Sequence, residues 1–81
     1  MEPKIDLIKE PLSPFETFYM LKENGFPAVE ARTRPPGCIG ASTLNGGEVV
    51  YLYRSGKALV QGTGELGDVR EVLRSAGWSV K

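Results

Sequence analysis

The feature that most constrains the fold is a pair of alternating segments joined by a short turn, "EVVYLYRSGKALVQ". Apolar and polar residues alternate along both segments, as they do in a strand with one buried face. A three-residue turn, Arg54-Ser55-Gly56, with Gly56 in the left-handed conformation pairs odd positions with odd ones. A two-residue Ser-Gly turn would instead mix the apolar and polar sets. The sequence therefore predicts an antiparallel hairpin with one wholly apolar face, made of Val50, Leu52, Ala58 and Val60.

This hairpin forms the last two of four strands predicted in the middle of the chain. The four are Ala28–Arg34, Cys38–Leu44, Glu48–Arg54 and Lys57–Gln61. Asn45-Gly46 between the second and third is the strongest short hairpin signal, and a two-residue type I′ turn there pairs even positions with odd ones. In that register Ile39 and Ala41 join the apolar face, while Cys38, Gly40 and Ser42 lie beside Tyr51.

Two helices and one further strand flank these four strands. "KIDLIK", Lys4 to Lys9, is a short apolar run between prolines and predicts a first strand. Ser13-Pro14-Phe15-Glu16 has the form of a capping box and predicts a helix from Pro14 to about Asn24, with Gly25 as its stop. Apolar residues at every third position of this helix should face the core; they are Phe15, Phe18 and Leu21.

The second predicted helix is the clearest element in the chain. Its apolar residues share one face at helical spacing: Leu66, Val69, Val72, Leu73 and Ala76. Gly77 should end the helix, and Trp78 then stands where a Schellman motif places its hydrophobic contact, within reach of Leu73.

Together these elements predict one domain over residues 1–81, with a sheet covered by both helices on one face and open on the other. In the first of the four middle strands, Glu30, Arg32 and Arg34 alternate with Val29, Ala31 and Thr33. The alternation and the turn registers assign seven residues to the open face: Arg32, Arg34, Tyr51, Tyr53, Lys57, Leu59 and Gln61.

Gly62-x-Gly64-x-x-Gly67 follows a strand and precedes a helix, which is the outline of a dinucleotide-binding fingerprint. That site requires a βαβ unit whose second parallel strand brings a ribose-binding carboxylate. After the helix only "WSVK" remains, so we predict neither that strand nor that carboxylate. We therefore expect no bound NAD, FAD or ATP, and we interpret the glycines as strand-end and helix-start residues.

Composition excludes several kinds of chemistry. The 81 residues contain no histidine and one cysteine, Cys38, which excludes disulfide frameworks, Cys/His zinc sites and His-dependent nucleophilic catalysis within one chain. We therefore expect no catalytic residues, no metal site and no cofactor. Ten basic and ten acidic residues cancel, so affinity for nucleic acid would depend on a local patch. Without a spanning segment or a signal-peptide core, we expect a cytoplasmic protein without membrane contact.

The stretch "PPGCIGASTLNGGEVVYLYRSGKALVQGTG", with the predicted order of elements, resembles one repeat of the TATA-binding protein fold. Within that family it is most similar to the amino-terminal domain of bacterial ribonuclease HIII. The shared features are a hydrophobic strand ending in an aromatic residue, a Ser-Gly-Lys turn, a second strand ending in glycine, and a helix. The resemblance implies a helix-grip-type α+β fold, with a curved antiparallel sheet of about five strands and two helices on one face, in the order β-α-β-β-β-β-α.

The resemblance also implies that the open face binds duplex DNA or RNA/DNA hybrid. Tyr53 stands where the TATA-binding protein has a phenylalanine that wedges between base steps. Gln61 takes a polar, groove-contacting position, and Lys57 belongs to the turn. A proline, Pro35 or Pro36, replaces the second wedge phenylalanine, and the chain has one repeat where the saddle has two. The implied contact set is Arg32, Arg34, Tyr51, Tyr53, Lys57 and Gln61.

The alternative function is a protein-interaction or homo-oligomeric assembly domain that uses the same open sheet. Exposed tyrosine and arginine are enriched in protein interfaces as well as in nucleic-acid sites. For the nucleic-acid function, a homodimer formed along the predicted strand Lys4–Lys9 would supply the second half of a saddle. The two functions differ in whether the partner is a nucleic acid or a protein.

Overall fold

A computed structural model describes residues 10–44, 47–62 and 67–80. Its elements are α1 (Pro14–Glu23), β1 (Ala28–Glu30), β2 (Cys38–Leu44), β3 (Val49–Tyr53), β4 (Lys57–Gln61), α2 (Gly67–Ser75) and β5 (Ser79–Val80). The α+β class, with two helices and a five-stranded sheet, is confirmed. The predicted strand Lys4–Lys9 lies outside the described residues.

The sheet is mixed, with its strands in sequence order from β1 to β5. The first four strands are antiparallel, but β5 runs parallel to β4. The prediction that no parallel strand follows the second helix was therefore wrong. The predicted order of elements, which ended with that helix, was wrong for the same reason. The chain after α2 is held beside β4 because the Ser79 N–H donates to the Gly56 carbonyl at 2.9 Å.

The start of α1 is confirmed in detail. Ser13 Oγ accepts from the Glu16 N–H at 3.1 Å, and Glu16 Oε1 accepts from the Ser13 N–H at 3.4 Å, which completes the capping box. The helix ends at Glu23 with Asn24 as its C-cap. Leu21 is fully buried, but Phe15 is 81% exposed, so the predicted core position of Phe15 was wrong.

The hairpin of β3 and β4 has the predicted register. Tyr51 pairs with Leu59 and Val50 pairs with Val60, so odd positions face odd ones across the turn. Gly56 has φ +95°, the left-handed conformation that the three-residue turn requires. All four residues of the predicted apolar face, Val50, Leu52, Ala58 and Val60, are buried.

The register of β2 on β3 differs from the prediction. Ala41 pairs with Tyr51 and Ser42 pairs with Val50, so odd positions again face odd ones. The Leu44 N–H donates to the Glu48 carbonyl at 2.7 Å, which closes a loop of three residues instead of two. Asn45 and Gly46 lie outside the described residues, but Gly47 has φ +94° and supplies a left-handed position at the end of the loop.

This register moves Ala41 to the open face and turns Gly40 and Ser42 toward the helices. A Cβ on Gly40 would lie 2.7 Å from Pro14 Cβ, which shows how closely α1 approaches β2 at this point. A bulge between Cys38 and Gly40 shifts the register locally. Ile39 consequently packs against the core as predicted, whereas Ala41 is fully buried but lies outside the hydrophobic cluster.

The second helix and the residues after it complete the core. The Trp78 N–H donates to the Leu73 carbonyl and the Gly77 N–H donates to the Arg74 carbonyl, which is the predicted Schellman motif. Trp78 is 4% exposed and joins Leu73 in the hydrophobic cluster. Because this cluster also contains Leu21 and the apolar face of β3 and β4, both helices pack on the same face of the sheet.

Candidate binding surface on the open sheet face

The face of the sheet opposite the helices is built from three rows of paired residues. One row is Val29, Thr43, Val49 and Gln61; the next is Ala41, Tyr51 and Leu59; the third begins with Cys38 and Tyr53. Directly paired residues of neighbouring strands share a face. Lys57, which pairs with Ser79, has the parity of Leu59 and Gln61 and so belongs to this surface too. We call it the open face.

The open face combines aromatic, polar and apolar groups. Tyr51 and Tyr53 are half-buried, so part of each side chain remains accessible, while Lys57 and Gln61 are exposed. A depression of about 190 Å³ lies beside Tyr53, between Lys57, Leu59 and Ser79. The open face therefore presents the aromatic ring of Tyr53, the ammonium of Lys57 and the amide of Gln61, all within reach of one bound molecule.

None of the described strands places a carboxylate on the open face. Glu30 is the one acidic residue within β1 to β5, and it pairs with Ser42, which faces the helices. The strands accordingly present Lys57 on the open face without a compensating acidic neighbour on that side. An anionic partner would meet local attraction there even though the chain as a whole is neutral.

Arg32 and Arg34 do not extend the sheet, because β1 ends at Glu30 and not at Arg34. The pairing of Val29 with Thr43 also reverses the predicted alternation, since Val29 lies on the open face. Arg34 Nη1 donates to the Ile39 carbonyl at 2.9 Å, so its guanidinium is engaged by the backbone. Of the six residues in the predicted contact set, the sheet brings together Tyr51, Tyr53, Lys57 and Gln61.

A second concave surface was missed by the sequence reasoning, and it lies on the helix side of the sheet. A groove of about 420 Å³ separates α1 from β1 and β2, with a volume typical of ligand sites. Phe15 is 81% exposed and Tyr19 is 55% exposed along its helical wall. We call this the α1–β1 groove, lined by Pro14, Phe15, Phe18, Tyr19, Lys22, Ala28, Glu30, Ile39, Gly40 and Ser42.

The feature of the sequence that could have indicated this groove is the spacing of Phe15 and Tyr19, which are four residues apart. Together with Phe18 and Leu21 these residues cover more of the α1 surface than one sheet contact can bury. The floor holds Ser42, which is 1% exposed and whose hydroxyl makes no side-chain hydrogen bond to another described residue. Hydrogen bonding to the Glu23 carboxylate, together with its charge, raises the pKa of Tyr19 above its ordinary value.

Among residues 10–44, 47–62 and 67–80, no three His, Cys, Asp or Glu side chains converge to form a potential metal site. In the same residues, neither α1 nor α2 has the length and apolar character that a transmembrane helix requires. Comparison with protein families, curated proteins and solved structures gives no match for this chain.

Proposed function

We propose that this protein is a non-catalytic binding module whose open face binds duplex DNA or RNA/DNA hybrid. The observation that carries the proposal is the grouping of Tyr51, Tyr53, Lys57 and Gln61 on a face to which the described strands contribute no carboxylate. Aromatic rings stack on bases or wedge between them, and a lysine neutralises phosphate. A glutamine adds hydrogen bonds to base edges or sugars.

The dimensions of β4 suit a contact with several nucleotides. Lys57 and Gln61 lie at its two ends, four residues apart on the same face. That separation is about 13 Å along a strand, close to the rise of about four base pairs of duplex. A nucleic acid lying along β4 would therefore meet the cation at one end and the amide at the other, with Tyr53 beside Lys57.

A relationship to the TATA-binding protein fold, and within it to the amino-terminal domain of ribonuclease HIII, is part of the same proposal. It is supported by the order of the elements from Pro14 to Ser75, which is one helix, four antiparallel strands and a second helix. In the Ser55-Gly56-Lys57 motif, Ser55 and Gly56 lie in the turn between β3 and β4 and Lys57 begins β4, which agrees with the resemblance. The parallel strand β5 is a departure from the expected order.

Fluorescence anisotropy tests the proposal with a labelled duplex DNA, an RNA/DNA hybrid and a single strand, each at two salt concentrations. We expect weak binding that falls with salt, by a slope of about −0.9 per phosphate contact on B-DNA. Lys57→Gln should weaken binding to all sequences and flatten the slope by about one unit. Tyr53→Ala should cost about 1–3 kcal/mol of binding without changing the slope, because it removes stacking and no charge.

Lys22→Gln is the matched control. Lys22 is an exposed lysine on α1, on the opposite side of the sheet, and lines the α1–β1 groove. Its replacement removes the same charge from the whole protein but should leave the salt slope unchanged. No anisotropy change at low salt with any of the three probes, or equal effects of Lys57→Gln and Lys22→Gln, would contradict binding through the open face.

The alternative function, protein interaction or self-assembly, is favoured by one specific observation. Phe15 and Tyr19 expose two aromatic side chains beside a groove on the helix side, and aromatic residues are enriched in protein interfaces. This surface does not overlap the open face, so one molecule has room for both activities.

A further inference from the structure

We infer that the α1–β1 groove is a binding site for a small organic cation, an aromatic ring that carries a primary ammonium group. The groove lies on the helix side of the sheet, so the inference concerns a different surface from the proposed nucleic-acid site and does not depend on it. Its volume of about 420 Å³ is in the range of small-molecule sites. Three features select the ligand: a wall of aromatic rings, a carboxylate beside a buried hydroxyl, and the distribution of charge along the groove.

Aromatic side chains form the helical wall of the groove. Phe15, Phe18 and Tyr19 share one face of α1 because they are three and four residues apart. Phe15 and Tyr19 are mostly exposed, so their rings are accessible to a ligand. The face of such a ring attracts a cation, and the attraction is stronger where water is excluded. The wall therefore offers apolar contact to the ring of the ligand and cation–π contact to its ammonium group.

Ser42 and Glu30 provide the polar groups opposite this wall. They are directly paired on neighbouring strands, so their Cβ atoms are about 5 Å apart on the same face of the sheet. Ser42 is 1% exposed on the floor of the groove, and its hydroxyl makes no side-chain hydrogen bond to another described residue. Glu30 is exposed at the rim. Both side chains accept hydrogen bonds, and a primary ammonium has enough N–H groups to donate to both.

The aromatic wall and these polar groups lie at the same level of the groove. A Cβ on Gly40 would lie 2.7 Å from Pro14 Cβ, which places the start of α1 over Gly40. The chain reverses after α1 and again after β1, so α1 and β2 run in the same direction. From this starting point Ser42 is two residues along β2, about 6.7 Å, and Phe18 is four residues along α1, about 6 Å. A ligand beside Phe18 is therefore beside Ser42 as well.

The charges along the groove favour a cation at this level. Glu30 flanks it on the side of the sheet, and Glu23 lies beside the Tyr19 hydroxyl, where hydrogen bonding to the carboxylate raises the pKa of Tyr19. Lys22 also lines the groove, but it is four residues beyond Phe18, about another 6 Å along α1. The aromatic part of the groove is thus nearer to carboxylates than to the lysine, and a positive ligand is attracted there.

Nuclear magnetic resonance titration of the isotopically labelled full chain tests the inference. The probes are 2-phenylethylamine, which is protonated at neutral pH, and 3-phenylpropionate, which has a similar ring and chain but the opposite charge. We expect the amine to shift the backbone amide signals of Tyr19, Glu30 and Ser42 saturably, with a Kd of about 1 mM, as is usual for so small a ligand. The amide of Leu59 on the open face should not shift. The carboxylate should bind at least about tenfold more weakly.

Three substitutions test the individual contacts. Glu30→Gln should weaken binding of the amine at least about fivefold, because it removes the charge that pairs with the ammonium. Tyr19→Leu should weaken it about threefold, because leucine keeps apolar surface but has no aromatic face. Ser42→Ala should also weaken it about threefold through loss of the hydrogen-bond acceptor. Glu71→Gln is the control: it removes the same charge from an exposed position on α2 that does not line the groove, and should leave the Kd unchanged.

Absence of a saturable shift with 2-phenylethylamine would overturn the inference, as would equal affinity for the two probes or equal effects of Glu30→Gln and Glu71→Gln. It would also be overturned if the same signals shifted with protein concentration alone and Phe15→Ser abolished that shift, because a second copy of the chain would then cover the groove. Circular dichroism verifies that each variant is folded. Glu30 and Tyr19 are exposed, so their variants decide the outcome even if Ser42→Ala is destabilised.

Discussion

Thr17 connects the two ends of the described chain through one hydroxyl group. Its side chain is fully buried, donates to the Ser13 carbonyl at 2.8 Å and accepts from Trp78 Nε1 at 2.8 Å. The threonine therefore satisfies the indole N–H of a tryptophan that is itself buried. Because 61 positions separate the two residues, no local pattern in the sequence indicates the contact.

Thr17→Val should reduce the free energy of unfolding by about 1–3 kcal/mol, because valine keeps the shape but leaves the Trp78 N–H without a partner. Urea unfolding followed by circular dichroism measures the change. Trp78→Phe removes the N–H, so Thr17→Val should cost less in that background. Equal costs in both backgrounds would show that the hydrogen bond contributes nothing.

Leu52 and Leu59 provide a matched pair on the two faces of the sheet. Leu52 is fully buried under the helices and Leu59 is 38% exposed on the open face. Leu52→Ala should cost about 2–5 kcal/mol of unfolding free energy because it leaves a cavity. Leu59→Ala should cost clearly less, as measured by the same denaturation. An unchanged melting temperature for Leu52→Ala would contradict the assignment of the faces.

At the scale of elements, the packing of α1 on β2 depends on the absence of a side chain at Gly40. A Cβ there would meet Pro14 Cβ at 2.7 Å and Phe18 at 3.4 Å, so Gly40→Ala must displace the start of α1. We expect destabilisation of about 1–3 kcal/mol, the cost of overpacking a well-packed site. Thermal unfolding measures it.

Gly67→Ala is the control for that prediction. Gly67 begins α2, and a Cβ there would meet nothing within 4 Å. Alanine is favoured over glycine in helices by up to about 1 kcal/mol, so this variant should be neutral or more stable. Similar losses at both positions would indicate that Gly40 has no special packing role.

At the scale of the whole molecule, the open face and the α1–β1 groove lie on opposite sides of one sheet. Tyr53→Ala should weaken nucleic-acid binding by the same factor whether or not Phe15→Ser is present. Well-separated sites of this kind are additive within about 0.5 kcal/mol. Anisotropy titrations of both single variants and the double variant measure the coupling. A larger coupling would mean that assembly and nucleic-acid binding share a surface.

The sequence by itself determined the elements whose signals are local. The capping box at Ser13, the three-residue turn at Gly56 and the Schellman motif at Gly77 each depend on hydrogen bonds between residues within a few positions of one another. Residue types at these positions therefore predict the conformation directly. The same holds for the alternation that places Tyr51, Tyr53, Lys57 and Gln61 on one face, because the register of their hairpin follows from its turn.

Only the tertiary structure decided the features that depend on distant contacts. β2 takes its register on β3 through a three-residue loop and a bulge, which moves Ala41 to the open face. β1 stops before Arg32 and Arg34, and Phe15 remains exposed because the packed side of α1 is taken by Thr17 and Leu21. β5 forms only because the Schellman turn returns the chain alongside β4. Helical periodicity indicates which apolar residues share one face of a helix. Which of them are covered depends on where the neighbouring elements lie, and that is a property of the assembled fold.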